Sequence, residues 1–309
     1  MGIKKWIVEH LTFGRNYLLL SQGQLMNDIK SLVRNQYAAF MWNQTLHSKE
    51  PGVSDKRLCD EEVVVSLTSY GDRIHTAHLT IESIMQQTVR PNRIILWLAE
   101  DEFKEEMLPV ALLMQKERGL EIAYYKDIES YKKLIPSLTR FPKACIITVD
   151  DDVVYEPDLV EKMIKAHIEH PSDICATRIH AVKLRSNGKP DKYTNWTSCV
   201  KECPENNNLS FSVGVGGILY PPDCFTDEVF NQNVFMDICG EEDDVWFNAM
   251  RLLKGTRITK VFTINPKGDF MLLPSSKISS LWEKNRKGGN DDAIQAVYSR
   301  YGLFDKLNR

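Results

Sequence analysis

Carboxylates dominate the residues able to do chemistry. In "CIITVDDDVVY" (145–155) three acids, Asp150, Asp151 and Asp152, follow a small, β-branched run and precede another apolar one. If extended geometry persists there, side chains two apart share a direction, so Asp150 and Asp152 face together and Asp151 faces away. Two carboxylates held together repel, and each resists ionising unless a cation or donors offset its charge. A hard divalent cation, Mg²⁺ or Mn²⁺, does this with oxygen ligands, typically one or two carboxylates plus substrate phosphate oxygens. A second acid group, Glu241 to Asp244, stands in "CGEEDDVWFNAMRLLKGTRI" (239–258) ahead of a helix whose apolar face includes Val245, Phe247, Met250 and Leu253. Acids at a helix N-terminus favour the macrodipole, but this cluster is denser than capping needs. Between the two lies "SFSVGVGGILYPP" (210–222). Its Gly214, Gly216 and Gly217 leave backbone open to a ligand's close approach, or permit positive φ.

Blander readings compete. Acids often close strands as solvated turn formers, and a Gly-rich bulge resembles a ligand loop. The haloacid-dehalogenase phosphatase motif also opens with DxD after a strand, but it wants the first strand of its domain and a Thr shortly after. Here three earlier strands are expected, and Val153-Val154-Tyr155 follows. A calcium loop needs more oxygen ligands than Glu156 and Asp158 supply.

The elements that must position these groups alternate. "VVVSLTSY" (63–70), "RIILWLA" (93–99), "LEIAYYK" (120–126) and "ACIITVD" (144–150) read as buried strands. "HTAHLTIESIMQQT" (75–88), "DEFKEEMLPVALLMQKERG" (101–119) and "SYKKLIPSLTRF" (130–141) read as helical segments between them. Strand, helix, strand at this spacing predicts βαβ crossovers and an α/β fold with a mostly parallel sheet. In such sheets ligands bind at the carboxyl ends of strands near a topological switch point, which is where Asp150–Asp152 fall.

Residues 1–60 break the pattern. Leu25, Ile29, Leu32, Val33 and Phe40 are spaced as an amphipathic helix over roughly 22–43. "SKEPGVSDKRLCDEE" (48–62) reads as a linker. The expected division is therefore an N-terminal helical extension and linker, 1–60, and a main domain, 61–309. The helix is expected to pack on the main domain; an oligomer contact or a peripheral membrane contact, through Lys4, Lys5, Trp6, Arg15 and Trp42, are the functional alternatives. A net charge of -3 gives no ground for a nucleic-acid partner. No apolar run approaches a membrane span and no signal-peptide pattern is seen, so a cytoplasmic protein is expected, at the inner face of the membrane if the N-terminal helix binds it. Seven cysteines, an odd number and several in apolar runs, fit reduced thiols. Cys199 and Cys203 lack a second Cys/His pair nearby, so no zinc site is expected there.

Taken in order, "VDDDVVY", "GVGGILYPP", "EEDDVWF" and "RLLKGTRI", with "VVVSLTSYGDRI" (63–74) ahead of them, resemble GT-A-fold glycosyltransferases, most of all the family 2-like bacterial enzymes of surface-polysaccharide synthesis. The resemblance covers roughly 63–300 and implies a GT-A, Rossmann-like sheet flanked by helices. It also implies transfer of a sugar from a nucleotide-sugar donor, a UDP-sugar foremost, to a glycan or lipid-linked acceptor. On that resemblance Asp150 and Asp152 hold Mn²⁺ or Mg²⁺ against the diphosphate, with Asp152 foremost, and Asp151 lies on the nucleotide side. Thr68, Ser69, Tyr70 and Arg73 match the loop around the base and ribose. Lys132 and Lys133 fall where relatives contact ribose or phosphate, and Gly216 and Gly217 fall on the acceptor side. Asp243 and Asp244 both fit the catalytic base of inverting members, and Asp244, directly before Val245, is favoured. No His follows His180, so a late His ligand is missing; Asn285, Asn290, Asp291 or water stand in. "SSLWEKNRKGG" (279–289) suits a basic lid or an ordinary surface loop. The rivals are a nucleotidyltransferase or phosphatase using the same acids, and a non-catalytic scaffold.

Overall fold

Residues 40–263, 271–273 and 289–308 are described by the computed structural model. Apolar β-branched runs form the centre of the sheet, as a strand buried on both faces requires. The chain runs β1 (Val63–Thr68), α1 (Ile74–Met85), β2 (Arg93–Ala99), α2 (Val110–Lys116), β3 (Leu120–Tyr125), α3 (Ile135–Arg140) and β4 (Cys145–Thr148). It continues through β5 (Val153–Val154), α4 (Leu159–Glu169), β6 (Ile174–Ala176), β7 (Ile179–Ala181), β8 (Ser210–Ser212) and β9 (Ile218–Tyr220). Then come α5 (Gln232–Ile238), α6 (Asp243–Lys254), β10 (Ile258–Lys260), β11 (Met271–Leu272) and α7 (Asn290–Tyr301).

The main sheet has seven strands in the order β10-β6-β9-β4-β1-β2-β3. All run parallel except β9, which is antiparallel to both β4 and β6. Short pairs β5–β11 and β7–β8 lie outside it. Side chains alternate across the sheet as the two-residue period demands. Val63, Val65 and Leu67 of β1 pack on one face with Ile81, Ile84 and Met85 of α1 and Met163 of α4. Val64 turns to the other face, with Ile135 of α3, Phe235 of α5, Trp246 of α6 and Val297 of α7. The result is an α/β fold with helices on both faces of a mostly parallel sheet, as expected.

The order of strands locates the cleft. The chain steps from β1 to β2 to β3 in one direction and then returns to place β4 on the other side of β1. The strand order therefore reverses between β1 and β4, and the loops leaving their carboxyl ends diverge and open a crevice there.

Two expectations change in detail. The fourth strand ends at Thr148, not Asp150, so the three acids sit in a turn. The segment 48–62 is laid along the domain instead of bridging to it. The Gly52 amide donates to the Arg118 carbonyl (2.7 Å), a Cβ at Gly52 would strike the Met85 side chain, and Val53 fills the space beside Gly119. Arg118, buried, pairs with Glu82 at 2.9 Å and donates to the carbonyls of Glu50 (2.9 Å) and Thr45 (3.3 Å). Residues 40–45 are helical; the rest of the expected N-terminal helix, and nearly all of the basic segment 279–289 including Asn285, lie outside the described residues. Among the described residues no helix is long and apolar enough to cross a membrane, and all seven cysteines are free thiols.

Candidate active site

Four segments converge at the crevice. Ser69, Tyr70 and Arg73 follow β1, and Asp150–Asp152 follow β4. Lys133 ends a 3₁₀ turn, Glu129–Lys133, between β3 and α3. The glycine loop joins β8 to β9. Because β9 is antiparallel to β4 and Thr148 lies opposite Ile218, the start of β9 is beside the end of β4. Gly214–Gly217 therefore borders the acids.

The turn decides where each carboxylate points. The alternation expected for an extended chain does not hold: Asp151 and Asp152 converge on one guanidinium, with Arg73 Nη2 at 2.6 Å from each. Ser69 Oγ donates to the other oxygen of Asp151 at 2.5 Å. Asp150 turns the opposite way, to Lys133 Nζ at 3.1 Å. Its amide donates to the Tyr155 hydroxyl (2.8 Å), which donates onward to the Val215 carbonyl (3.1 Å). Tyr155 thus pins the acid turn to the glycine loop. In the sequence Tyr155 reads as part of an apolar run, and the one signal of its role is a hydroxyl-bearing aromatic three residues after the last acid.

Lys133 joins the two acid groups. Its Nζ is also 3.0 Å from Asp243 Oδ2, at the start of α6. Its backbone is fixed by Ser66 of β1, whose hydroxyl donates to the Lys133 carbonyl at 2.6 Å. Asp244 takes a different partner, accepting the Gly214 amide at 3.1 and 3.2 Å. Asn248, one turn along α6, holds that geometry by bonding Ser212 of β8 and the Asp244 carbonyl. Gly214 is the point of closest approach: a Cβ there would lie 3.1 Å from Lys133 Nζ and 3.2 Å from Asp244 Oδ1.

Other expected site residues are placed elsewhere. Thr68 donates to the Trp97 carbonyl (2.8 Å) within the sheet. Lys132 pairs with Asp127, away from the acids. Gly217, at φ 94°, faces Leu159 and Met163 of α4, and Gly216 is buried in the turn. Tyr70 is partly exposed beside Arg73, which donates to its hydroxyl at 3.2 Å. Of the suggested further ligands, Asn290 is buried at the start of α7, and Asp291 accepts the Tyr193 amide at 2.7 Å.

The electrostatics follow from burial. Desolvation pushes the Asp152 carboxyl up to about 7, against the pull of Arg73, with Asp150 and Asp151 adding to the rise. Burial likewise raises Asp151, opposed by Arg73 and Ser69. Asp244 is pushed up to about 7 by burial and then by the charge of Asp243, opposed by Lys133 and the Gly214 amide. Burial disfavours the Lys133 ammonium, but Asp150, Asp243 and Asp244 outweigh it and hold it protonated well above the usual lysine range. Five carboxylates thus surround two cations, Arg73 and Lys133.

No protein-family model matches the chain, and no curated protein matches it. Solved structures do resemble it. S. aureus TarS in complex with UDP matches at 15% identity and a TM-score of 0.43, over 65% of this chain and 57% of that one. The mannosyltransferase PcManGT from Pyrobaculum calidifontis, in complex with GDP-Man and Mn2+, matches at 10% identity and a TM-score of 0.44, over 90% and 82%. A CMP:2-keto-3-deoxy-manno-octonic acid synthetase complexed with CTP matches at 11% identity and a TM-score of 0.38, over 72% and 98%. At these TM-scores the likenesses carry no functional weight.

Proposed function

We propose that the chain is a glycosyltransferase of GT-A type, moving a sugar from a nucleotide-sugar donor, a UDP-sugar foremost, to a hydroxyl of a glycan or lipid-linked acceptor with inversion. One observation carries the reading. Acids after β4, at the switch point of the sheet, are joined through Lys133 to a second acid pair at the head of α6, with the glycine loop between them. A site that only bound a nucleotide would need the first group and not the second.

Although Asp150 and Asp152 turn to different cations, each keeps an oxygen that Lys133 or Arg73 does not take, and through those oxygens they would hold Mn²⁺ or Mg²⁺, which would neutralise charge growing on the departing diphosphate. Arg73 fixes the rotamers of Asp151 and Asp152 so that the acids meet the donor already aligned. Asp244 is the base. As the acceptor oxygen attacks the anomeric carbon, its proton passes to the Asp244 carboxylate, and the bond from that carbon to the diphosphate oxygen breaks. A carboxyl pushed up to about 7 is well matched to that task. Asp243, turned to Lys133, supplies charge that helps raise its neighbour.

A panel of nucleotide sugars, assayed for hydrolysis and for transfer with and without Mn²⁺, tests the reading. Metal-stimulated release of a nucleoside diphosphate, faster when an acceptor sugar is added, is expected. Consumption of nucleoside triphosphates or phosphomonoesters in place of nucleotide sugars would make it a nucleotidyltransferase or phosphatase; no turnover and no binding would leave a scaffold.

A further inference from the structure

A second group of ligating side chains lies at the opposite end of the central strands. Cys145 opens β4, and its partner in the neighbouring strand is Val63, the first residue of β1. The Cys145 amide donates to the Glu62 carbonyl at 2.9 Å, so the residues leading into β1 must run past the thiol. They bring Cys59 and Glu61. His167, on the buried face of α4 with Val160, Met163 and Ile164, comes from the other side. Its Nε2 is 3.3 Å from Cys145 Sγ and 3.1 Å from Glu61 Oε2. One ligand atom from each of the four residues lies within 4.8 Å of all the others.

We propose that Cys59, Glu61, Cys145 and His167 form a structural site for a soft divalent cation, Zn²⁺ foremost. Two sulfurs, an imidazole and a carboxylate are a closed tetrahedral donor set, and thiolate ligands select zinc over Mg²⁺ or Mn²⁺. Zinc bonds of about 2.3 Å to sulfur and about 2.0–2.1 Å to nitrogen and oxygen place ligand atoms roughly 3.4–3.8 Å apart. The two His167 contacts need to open by only a few tenths of an ångström, and any pair near the 4.8 Å limit must close by about 1 Å. Binding displaces the two thiol protons to solvent, so two thiolates and one carboxylate face the 2+ ion. The site is distinct from the acid cluster, since five residues of near-extended chain from Cys145 to Asp150 span roughly 16 Å. The cation would tie the segment ahead of β1 to β4 and α4, three parts of the chain distant in sequence.

The test uses the full chain, purified with reductant and chelator and then dialysed against zinc. We expect about one zinc per chain, and a melting temperature roughly 5–8 °C higher at a hundredfold excess over Kd. Cobalt in place of zinc should give the strong visible absorption of a tetrahedral thiolate site. Cys59→Ser, at a half-exposed position, and His167→Gln should each abolish the temperature rise and leave manganese-dependent nucleotide binding unchanged. Asp152→Asn should retain its zinc. The proposal is overturned if the reduced chain takes up no zinc, if both ligand variants keep it, or if Asp152→Asn loses it. A Cys59–Cys145 disulfide in protein isolated without reductant, with no metal bound after its reduction, would overturn it as well.

Discussion

Lys133→Met removes the charge at the centre of the acid cluster while keeping nearly the same length and volume. The ammonium lies 3.1 Å from Asp150 and 3.0 Å from Asp243, with its side chain 9% exposed. At an effective dielectric of about 20, each contact has a gross attraction of about 5 kcal/mol. Desolvation cancels much of that, and deleting one partner of a buried pair typically costs about 3–5 kcal/mol, because the other charge is left stranded. For a chain of this size, at roughly 2–3 °C per kcal/mol, the melting temperature should fall by about 6–15 °C. Adding Asp243→Asn removes one stranded carboxylate, so the double variant should melt higher than Lys133→Met alone, with a coupling of about 1–3 kcal/mol. Thermal and urea unfolding of the parent, both single variants and the double variant measure this, with chelator present so that no added cation substitutes for the ammonium. A single variant within about 2 °C of the parent, or strict additivity in the cycle, would refute the view that Lys133 holds the two acid groups together.

Asp244→Asn should abolish transfer and leave nucleotide affinity nearly unchanged, because the base touches the acceptor and not the donor. The acid must be ionised to accept a proton, so kcat/KM should fall as pH drops below about 7. In Asp243→Asn that limb should move to lower pH, since one of the charges raising Asp244 is gone. If Asp243→Asn is the inactive variant, the cluster is right and the acid wrong; if neither loses tenfold, about 1.4 kcal/mol in barrier, a retaining mechanism is the better account. Gly214→Ala should fold, since its φ is not in the left-handed region, yet slow transfer at least as much as it lowers stability, because the new methyl displaces Asp244 Oδ1 and Lys133 Nζ. A chain beginning at Glu61 should be less stable than one beginning at Asn43. It loses the carbonyls of Thr45 and Glu50 that Arg118 bonds, and hydrogen bonds to a charged group are worth about 1.5–3 kcal/mol each; equal urea midpoints for the two chains would show that 45–60 adds nothing.

The parallel core was legible because its signal is local. Four β-branched runs separated by helical periodicity admit little besides βαβ units, and β1 to β4 fall within two residues of where the sequence puts them. The acids and their place at strand ends were legible for the same reason. The direction each acid faces was not. It depends on whether the strand stops at Thr148 or Asp150, and Val149 is compatible with either. Beyond Thr148 the Val149 amide still reaches the Ser66 carbonyl, but the Asp150 amide goes to the Tyr155 hydroxyl, a contact between residues five apart that no periodicity encodes. The reach of Lys133 was also hidden. Lys132 and Lys133 are indistinguishable in sequence, and the 3₁₀ turn that aims one at Asp127 and the other at the cluster is fixed by Ser66, far away on β1. The cysteine–histidine group was invisible for a like reason. Its four members are spread from 59 to 167, and only the pairing of β1 with β4 brings them together.

The two cations also bear on how the acid site would work. Arg73 takes one oxygen of Asp152, and Lys133 takes one oxygen of Asp150, so each carboxylate keeps a second oxygen. A carboxylate held by a fixed cation on one side loses little rotamer freedom when a ligand meets it on the other. The fixed cations also lower the repulsion that would otherwise keep several buried acids from ionising together. They do not remove it, since desolvation still leaves Asp152 and Asp244 near 7. The arrangement is therefore stable enough to fold and still short of positive charge, and the shortfall falls where the proposed diphosphate and its cation would bind. Replacing Arg73 by Lys should weaken nucleotide binding more than the retained charge alone suggests, because one ammonium cannot both bridge Asp151 and Asp152, as Nη2 does, and donate to the Tyr70 hydroxyl, as Nη1 does.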